Sequence, residues 1–171
     1  MKQLIMVRHA KSSWESSVQT DFERPLNTRG HHDAPMMAQR LIAKKIAVDA
    51  IVTSTANRAL STANYFYQAY TQAPNLPTIA LIPTPTLYHA PEDVLLQTIT
   101  HLPNHLQSVI VVCHNPGITD FVNTLTNTHL SNMPTCGIFA INADCPTWNT
   151  FAVAHKSFLF FDAPKSNGLY Y

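Results

Sequence analysis

Short continuous runs of apolar residues alternate along this chain with longer segments in which apolar residues recur every three or four positions. The clearest runs are residues 4–7 (LIMV) and 109–113 (VIVVC). Each has the length and composition of a strand buried on both faces, as in the middle of a parallel sheet. The pattern predicts further strands in the second half of residues 46–53 and at 79–82, 137–141 and 150–154.

Between these strands the spacing of apolar residues predicts four helices. The first runs from about residue 30 to 45, where Asn27 or Thr28 can cap it and Pro35 leaves its exact start open. The other helices are expected from after residue 54 to about 69, from about 91 to 102, and from 118 to 126.

The alternation of strands and helices is typical of an α/β fold. A mainly parallel central sheet, with helices on both of its faces, gives a three-layer α/β/α sandwich, and the closing strands can pair antiparallel. The chain has 171 residues, of which 46% are hydrophobic, and this is enough for a full core. We therefore expect a single domain over residues 1–171.

The charge balance excludes one broad class of function. Lys plus Arg is 11 and Asp plus Glu is 10, so the formal net charge is +1. A nucleic-acid-binding protein would show a basic stripe or a high isoelectric point, and none is expected here. Any anion must therefore be bound by a local cluster of basic side chains.

The cysteines and the hydropathy pattern favour a cytoplasmic protein. The three cysteines form no CxxC pair, and their odd number and loose spacing indicate free thiols in a reducing compartment. The N-terminus lacks the layout of a signal peptide, and no apolar run reaches the length of a membrane span. We expect no membrane association.

The nine histidines do not form a recognisable metal site. His101 and His105 are four residues apart, but Pro103 interrupts any helix between them. No cysteine or carboxylate lies at a spacing typical of metal ligands. We therefore predict no metal and no cofactor.

Three strand ends carry residues suited to phosphate chemistry. Arg8 and His9 follow the first strand, His114 follows the strand at 108–113, and Arg58 begins a helix after another strand. The carboxyl ends of parallel strands share one edge of the sheet, so these side chains should meet in one crevice. Taken one at a time, each could instead be a solvated charge or cap a turn.

Two guanidinium groups and two imidazoles at one crevice suit phosphoryl transfer. Arginine forks match the equatorial oxygens of a phosphoryl group, over which negative charge spreads during transfer. One histidine can attack phosphorus in line, and the other can donate a hydrogen bond to an equatorial oxygen.

These residues lie in motifs that resemble the histidine phosphatase superfamily, which includes the phosphoglycerate mutases. The matching segments are residues 8–10 (RHA), 54–63 (S-x-x-x-R-A-x-x-T-A), 114–117 (HNPG) and, for small SixA-type phosphohistidine phosphatases, 24–30 (RPLNTRG). The resemblance implies a phosphoglycerate mutase-like fold and no metal. It implies that His9 is the nucleophile and that Arg8, Arg58 and His114 form the phosphate pocket.

The sequence departs from larger members of that family at the proton donor. Where they carry an acidic residue after the third strand, no glutamate falls clearly in place here, and Glu92 or His89 are the candidates. An alkoxide leaving group needs a proton, whereas imidazole is far less basic. The missing acid and the short loops therefore favour protein phosphohistidine, on a phosphohistidine-bearing domain, as the substrate. Hydrolysis of a small phosphomonoester, and phosphate binding without turnover, are the alternatives.

Overall fold

The structure is a computed structural model, and it describes residues 1–14, 20–74 and 78–166. Within these ranges the chain forms six strands, four α-helices and three short 3₁₀ helices. The strands are β1 (Lys2–Arg8), β2 (Ala50–Thr53), β3 (Ala80–Pro83), β4 (Ser108–Cys113), β5 (Ile138–Ala143) and β6 (Lys156–Asp162). The α-helices are α1 (Thr28–Ala43), α2 (Asn57–Gln72), α3 (Glu92–Thr100) and α4 (Gly117–Leu125).

All six strands belong to one sheet, in the order β3-β2-β4-β1-β5-β6. Strands β3, β2, β4 and β1 pair in parallel, and β5 runs antiparallel to both of its neighbours. The carboxyl ends of the four parallel strands therefore lie along the same edge. The predicted mainly parallel sheet with antiparallel closing strands is confirmed.

Apolar side chains of the central strands pack into two separate hydrophobic cores, one on each face of the sheet. Leu4 and Met6 point into the core shared with α3 and α4, whereas Ile5 and Val7 point into the core shared with α1 and α2. All four side chains are fully buried. This alternation follows from the two-residue period of a strand, and it explains why the run is apolar on both faces. The predicted three-layer α/β/α sandwich is confirmed.

Helix α1 begins where its polar cap predicts. The Asn27 side chain accepts a hydrogen bond from the Gly30 N–H at 2.9 Å, which satisfies one of the free donors of the first turn. The helix starts at Thr28 and continues through Pro35. A proline at this interior position removes one backbone donor from the helix ladder.

The strand predicted at residues 150–154 is wrong. This region is a 3₁₀ helix, Trp148–Val153, and the last strand is β6, which we did not predict. Trp148 and Phe151 are both fully buried, three residues apart, and this spacing matches the three-residue turn of a 3₁₀ helix. The apolar composition was consistent with a strand because a run this short does not distinguish the two-residue period of a strand from the three-residue period of a 3₁₀ helix.

Gly117 allows the start of α4 to pack directly against the loop after β3. A Cβ atom at this position would collide with the backbone carbonyl oxygen of Ala90. Backbone cannot move aside as a flexible side chain can, so only glycine fits this close approach.

We predict that Gly117→Ala destabilises the protein by about 1–3 kcal/mol, the usual cost of overpacking. Chemical denaturation followed by circular dichroism measures the free energy of unfolding. Asp120→Ala, at an exposed position of the same helix, is the control and should change it by no more than about 0.5 kcal/mol. Equal stability of Gly117→Ala and the wild type would contradict the close packing.

Candidate active site

The parallel pairing of β1 and β4 brings two histidines together. Arg8 pairs with Cys113 at the ends of these strands, so His9 and His114 leave the sheet side by side. The His9 N–H donates to the Cys113 carbonyl at 3.1 Å, and the centroids of the two imidazole rings are 5.0 Å apart. Only 8% of His9 and 2% of His114 is exposed.

Helix α2 delivers Arg58 to the same place. The Arg58 Nε donates a hydrogen bond to Nε2 of His9 at 3.3 Å, and its side chain is buried. One turn further on, the Thr62 hydroxyl accepts from the Ala10 N–H at 3.0 Å and thereby fastens the segment after β1 to α2. The helix and the end of the strand therefore hold Arg58 and His9 in register.

The hydrogen bonds of His9 determine which ring nitrogen can react. Nδ1 lies 2.8 Å from the Ala10 carbonyl oxygen, which can only accept, so Nδ1 carries the proton of the neutral ring. Nε2 is therefore unprotonated, and its lone pair accepts the hydrogen bond from Arg58. Burial, together with the positive charges of Arg58 and Arg8, lowers the pKa of His9 to about 3. His9 is accordingly a neutral base at physiological pH.

His114 is held by a serine at the end of β2. Its Nε2 lies 2.7 Å from the Ser54 hydroxyl, and within the described residues its buried Nδ1 has no hydrogen-bond partner. Burial, with the nearby His9 and Arg58, lowers the pKa of His114 to about 2. The ring is therefore neutral at physiological pH, and its Nε2 is held by Ser54.

Arg8 is anchored from one end of its guanidinium. Its terminal nitrogen donates to the Met133 carbonyl at 2.6 Å, whereas its buried Nε makes no hydrogen bond in the described part of the chain. A buried donor without a partner is costly, and an incoming anion would satisfy it.

A cavity of about 190 Å³ joins these groups. Arg8, His9, Arg58 and His114 all line it, as the sequence predicted, and Lys11 and His89 lie on its wall. The other candidate proton donor is elsewhere: Glu92 begins α3 and lines a separate groove beside α4.

Several further residues of the cavity were not identified from the sequence. Among them are Trp14, Asp21 and Arg24, which come from the segment between β1 and α1. Arg24 packs over the Trp14 ring, with 3.3 Å between its guanidinium carbon and the ring centroid, and donates to Asp21 at 2.7 Å. Arg24 lies in the RPLNTRG segment, so the motif itself was a signal for it, whereas Asp21 and Trp14 had none.

No metal-binding cluster of three His, Cys, Asp or Glu residues occurs among the residues that the structure describes. Cys113, Cys136 and Cys145 are buried free thiols. In the same residues, no helix is both long and apolar enough to cross a bilayer.

Sequence comparison finds a family match within the first half of the chain. Residues 4–78 match the histidine phosphatase superfamily (branch 1). An uncharacterized protein of Mycobacterium leprae is 25% identical, and the match covers 93% of this chain and 100% of that protein.

Solved structures share the fold over nearly the whole chain. A proposed phosphohistidine phosphatase SixA from Agrobacterium tumefaciens superimposes with a TM-score of 0.79 at 24% identity, covering 95% of this chain and 99% of that one. The protein histidine phosphatase SixA complexed with tungstate gives a TM-score of 0.75 at 22% identity, with coverages of 95% and 97%. The resemblance read from the motifs is thereby confirmed.

We predict that the rings of His9 and His114 stay neutral in the free protein at about pH 5. Burial penalises the charged ring, so each ring takes up a proton only well below the ordinary histidine pKa of 6.5. Long-range ¹H–¹⁵N correlation spectra report the protonation of each imidazole, and the His9→Gln and His114→Gln variants assign the signals. Protonation of either ring near pH 6.5 would contradict the desolvated site.

Proposed function

We propose that this chain is a histidine phosphatase that hydrolyses phosphohistidine on a protein substrate. The family supports phosphatase activity. The single observation that carries the proposed phosphoryl transfer is Nε2 of His9, 3.3 Å from the Arg58 guanidinium, at the wall of a phosphate-sized cavity. A neutral imidazole next to fixed positive charge is suited to attack an anionic phosphoryl group.

The reaction has two displacements at phosphorus. In the first, the lone pair of His9 Nε2 forms a bond to phosphorus, the bond from phosphorus to the substrate imidazole breaks, and the leaving nitrogen takes a proton from a protonated group at the cavity wall. In the second, water attacks phosphorus, gives a proton back to that group, and the bond from phosphorus to Nε2 breaks. Inorganic phosphate leaves and His9 is restored.

The surrounding donors stabilise the charge that moves through these steps. Arg8 and Arg58 bring positive charge to the equatorial oxygens of the phosphoryl group. Nε2 of His114 can donate a hydrogen bond to one of these oxygens in place of the Ser54 hydroxyl. Because these groups are held before substrate arrives, little reorganisation accompanies the reaction. The protein histidine phosphatase SixA, which has a similar fold, is complexed with tungstate, a tetrahedral oxyanion, and this supports oxyanion binding by this chain.

The size and the rim of the cavity favour a phosphorylated side chain of another protein. At about 190 Å³ the cavity is smaller than the roughly 300–1,000 Å³ typical of small-molecule pockets, so most of a substrate must lie outside it. At the rim, Trp14 is 75% exposed and Phe22 is 39% exposed. Exposed aromatic side chains are enriched where proteins dock against each other.

Small phosphomonoesters are the second candidate because His89 lies on the cavity wall. An imidazole there can supply a proton to a basic leaving group. The argument that this chain lacks a proton donor therefore no longer favours phosphohistidine over a phosphomonoester. The proposal of protein phosphohistidine as the substrate is supported instead by the small size of the cavity and its exposed rim.

We predict that the wild type releases phosphate from a phosphohistidine-bearing domain and that His9→Ala lowers the rate by about 10³-fold or more, since the nucleophile is lost. Phosphate release is followed by a colorimetric assay, and the phosphoenzyme by acid-labile ³²P. Glu92→Gln is the control, and because Glu92 lies outside the cavity it should keep its activity. Equal release by His9→Ala and the wild type would exclude the proposal.

We predict that Trp14→Ala raises KM for the phosphorylated protein about 10-fold and leaves KM for p-nitrophenyl phosphate within about 3-fold, since most of the Trp14 ring is exposed and offers more contact area to a protein than to a small ester. Steady-state kinetics with both substrates provide the test. Val153→Ala, which removes an apolar side chain that is 88% exposed and outside the cavity lining, is the matched control. Equal effects of Trp14→Ala on both substrates would argue against docking at this rim.

A further inference from the structure

The carboxylate of Asp21 gathers four side chains at the edge of the cavity. Arg24 donates to its Oδ1 at 2.7 Å. Arg58, Tyr88 and His89 all donate to its Oδ2, at 2.9, 2.8 and 3.0 Å respectively. A carboxylate with this many donors is held in one orientation, and it holds the donors in turn.

His89 is held in a backbone conformation that side chains rarely adopt. Its φ angle is 49°, in the left-handed region, which costs energy for a residue other than glycine. The ring packs on Tyr88 with centroids 4.3 Å apart and lies 5.2 Å from the ring of His114. Such strain persists where the surroundings fix it, and here it turns the imidazole over the cavity.

We propose that Asp21 is a positioning residue that makes His89 the proton donor and acceptor of the reaction. A carboxylate can only accept, so His89 bonds to Asp21 through Nε2–H. That bond leaves Nδ1 as the nitrogen available to the reacting groups. The inference rests on the proposed function and adds to it the residue pair that moves the protons.

His89, held by Asp21, donates the proton needed in the first displacement and accepts the proton released in the second. In the first, the bond from phosphorus to the leaving atom breaks, and that atom takes the proton from Nδ1 of the His89 imidazolium. In the second, Nδ1 accepts the proton that the attacking water loses, and the imidazolium is restored. Asp21 keeps its negative charge throughout and stabilises the imidazolium beside it.

The charges around Asp21 are consistent with Asp21 staying ionised while His89 transfers the proton. Partial burial alone would raise the pKa of Asp21, but hydrogen bonds from His89, Tyr88, Arg24 and Arg58 outweigh it and hold the pKa below its usual range. The carboxylate is therefore ionised and is a poor proton donor itself. The pair extends the accessible substrates to phosphomonoesters, whose basic leaving groups need a proton.

The test compares two aryl phosphates that differ in leaving group. We expect Asp21→Asn and His89→Asn each to lower kcat on phenyl phosphate by about 10²-fold, and on p-nitrophenyl phosphate, whose phenolate leaves without help, by less than about 5-fold. Asparagine suits both positions, since it matches the size of Asp21 and tolerates the left-handed backbone of residue 89. The double variant should lose no more than either single variant.

Tyr88→Phe is the matched control, because it removes one hydrogen bond to Asp21 and keeps the ring that supports His89. It should affect both substrates alike, by a few-fold at most.

Equal losses on both substrates in Asp21→Asn and His89→Asn, or additive losses in the double variant, overturn the pairing while phosphatase activity stands. The side chain of His89 is 48% exposed, so His89→Asn provides the answer even if Asp21→Asn does not fold. No turnover of any phosphorylated substrate by the wild type overturns the proposed function itself.

Discussion

The register between β1 and β4 is the constraint on which the candidate site depends. These strands pair in parallel with Arg8 opposite Cys113, so the next residue of each strand is a histidine at the same height. A slip of one residue would move the buried side chains of one strand to the opposite face. Because both strands are buried on both sides, such a slip is costly, and the core thereby fixes the 5.0 Å between the two rings.

Burial of the two histidines determines their protonation state in the candidate site. Two imidazoles and two guanidiniums lie in or at the edge of the core, where charge on a histidine is penalised, and the histidines remain neutral. The positive charge is left to the arginines, which is the arrangement that an anionic phosphoryl group needs. Asp21 forms an ion pair with Arg58 at 2.9 Å and thereby compensates part of this positive charge.

The irregular segment between β1 and α1 contributes more than its composition suggests. It supplies Trp14, Asp21 and Arg24 to the cavity, and Arg24 fastens it by donating to the Ser13 carbonyl at 2.8 Å. Binding residues are often found on loops that a rigid scaffold positions. The scaffold thus sets the phosphate chemistry, and this segment shapes the entrance.

The sequence by itself determined the fold class and four residues of the cavity: Arg8, His9, Arg58 and His114. It did so because buried parallel strands are marked by local composition, and their carboxyl ends must share one edge. Only the tertiary structure decided that His89 lines the cavity while Glu92 does not, that Asp21 connects His89 to Arg58, and that residues 150–154 are not a strand. Those features depend on contacts between segments far apart in the chain, and no local period or spacing encodes them.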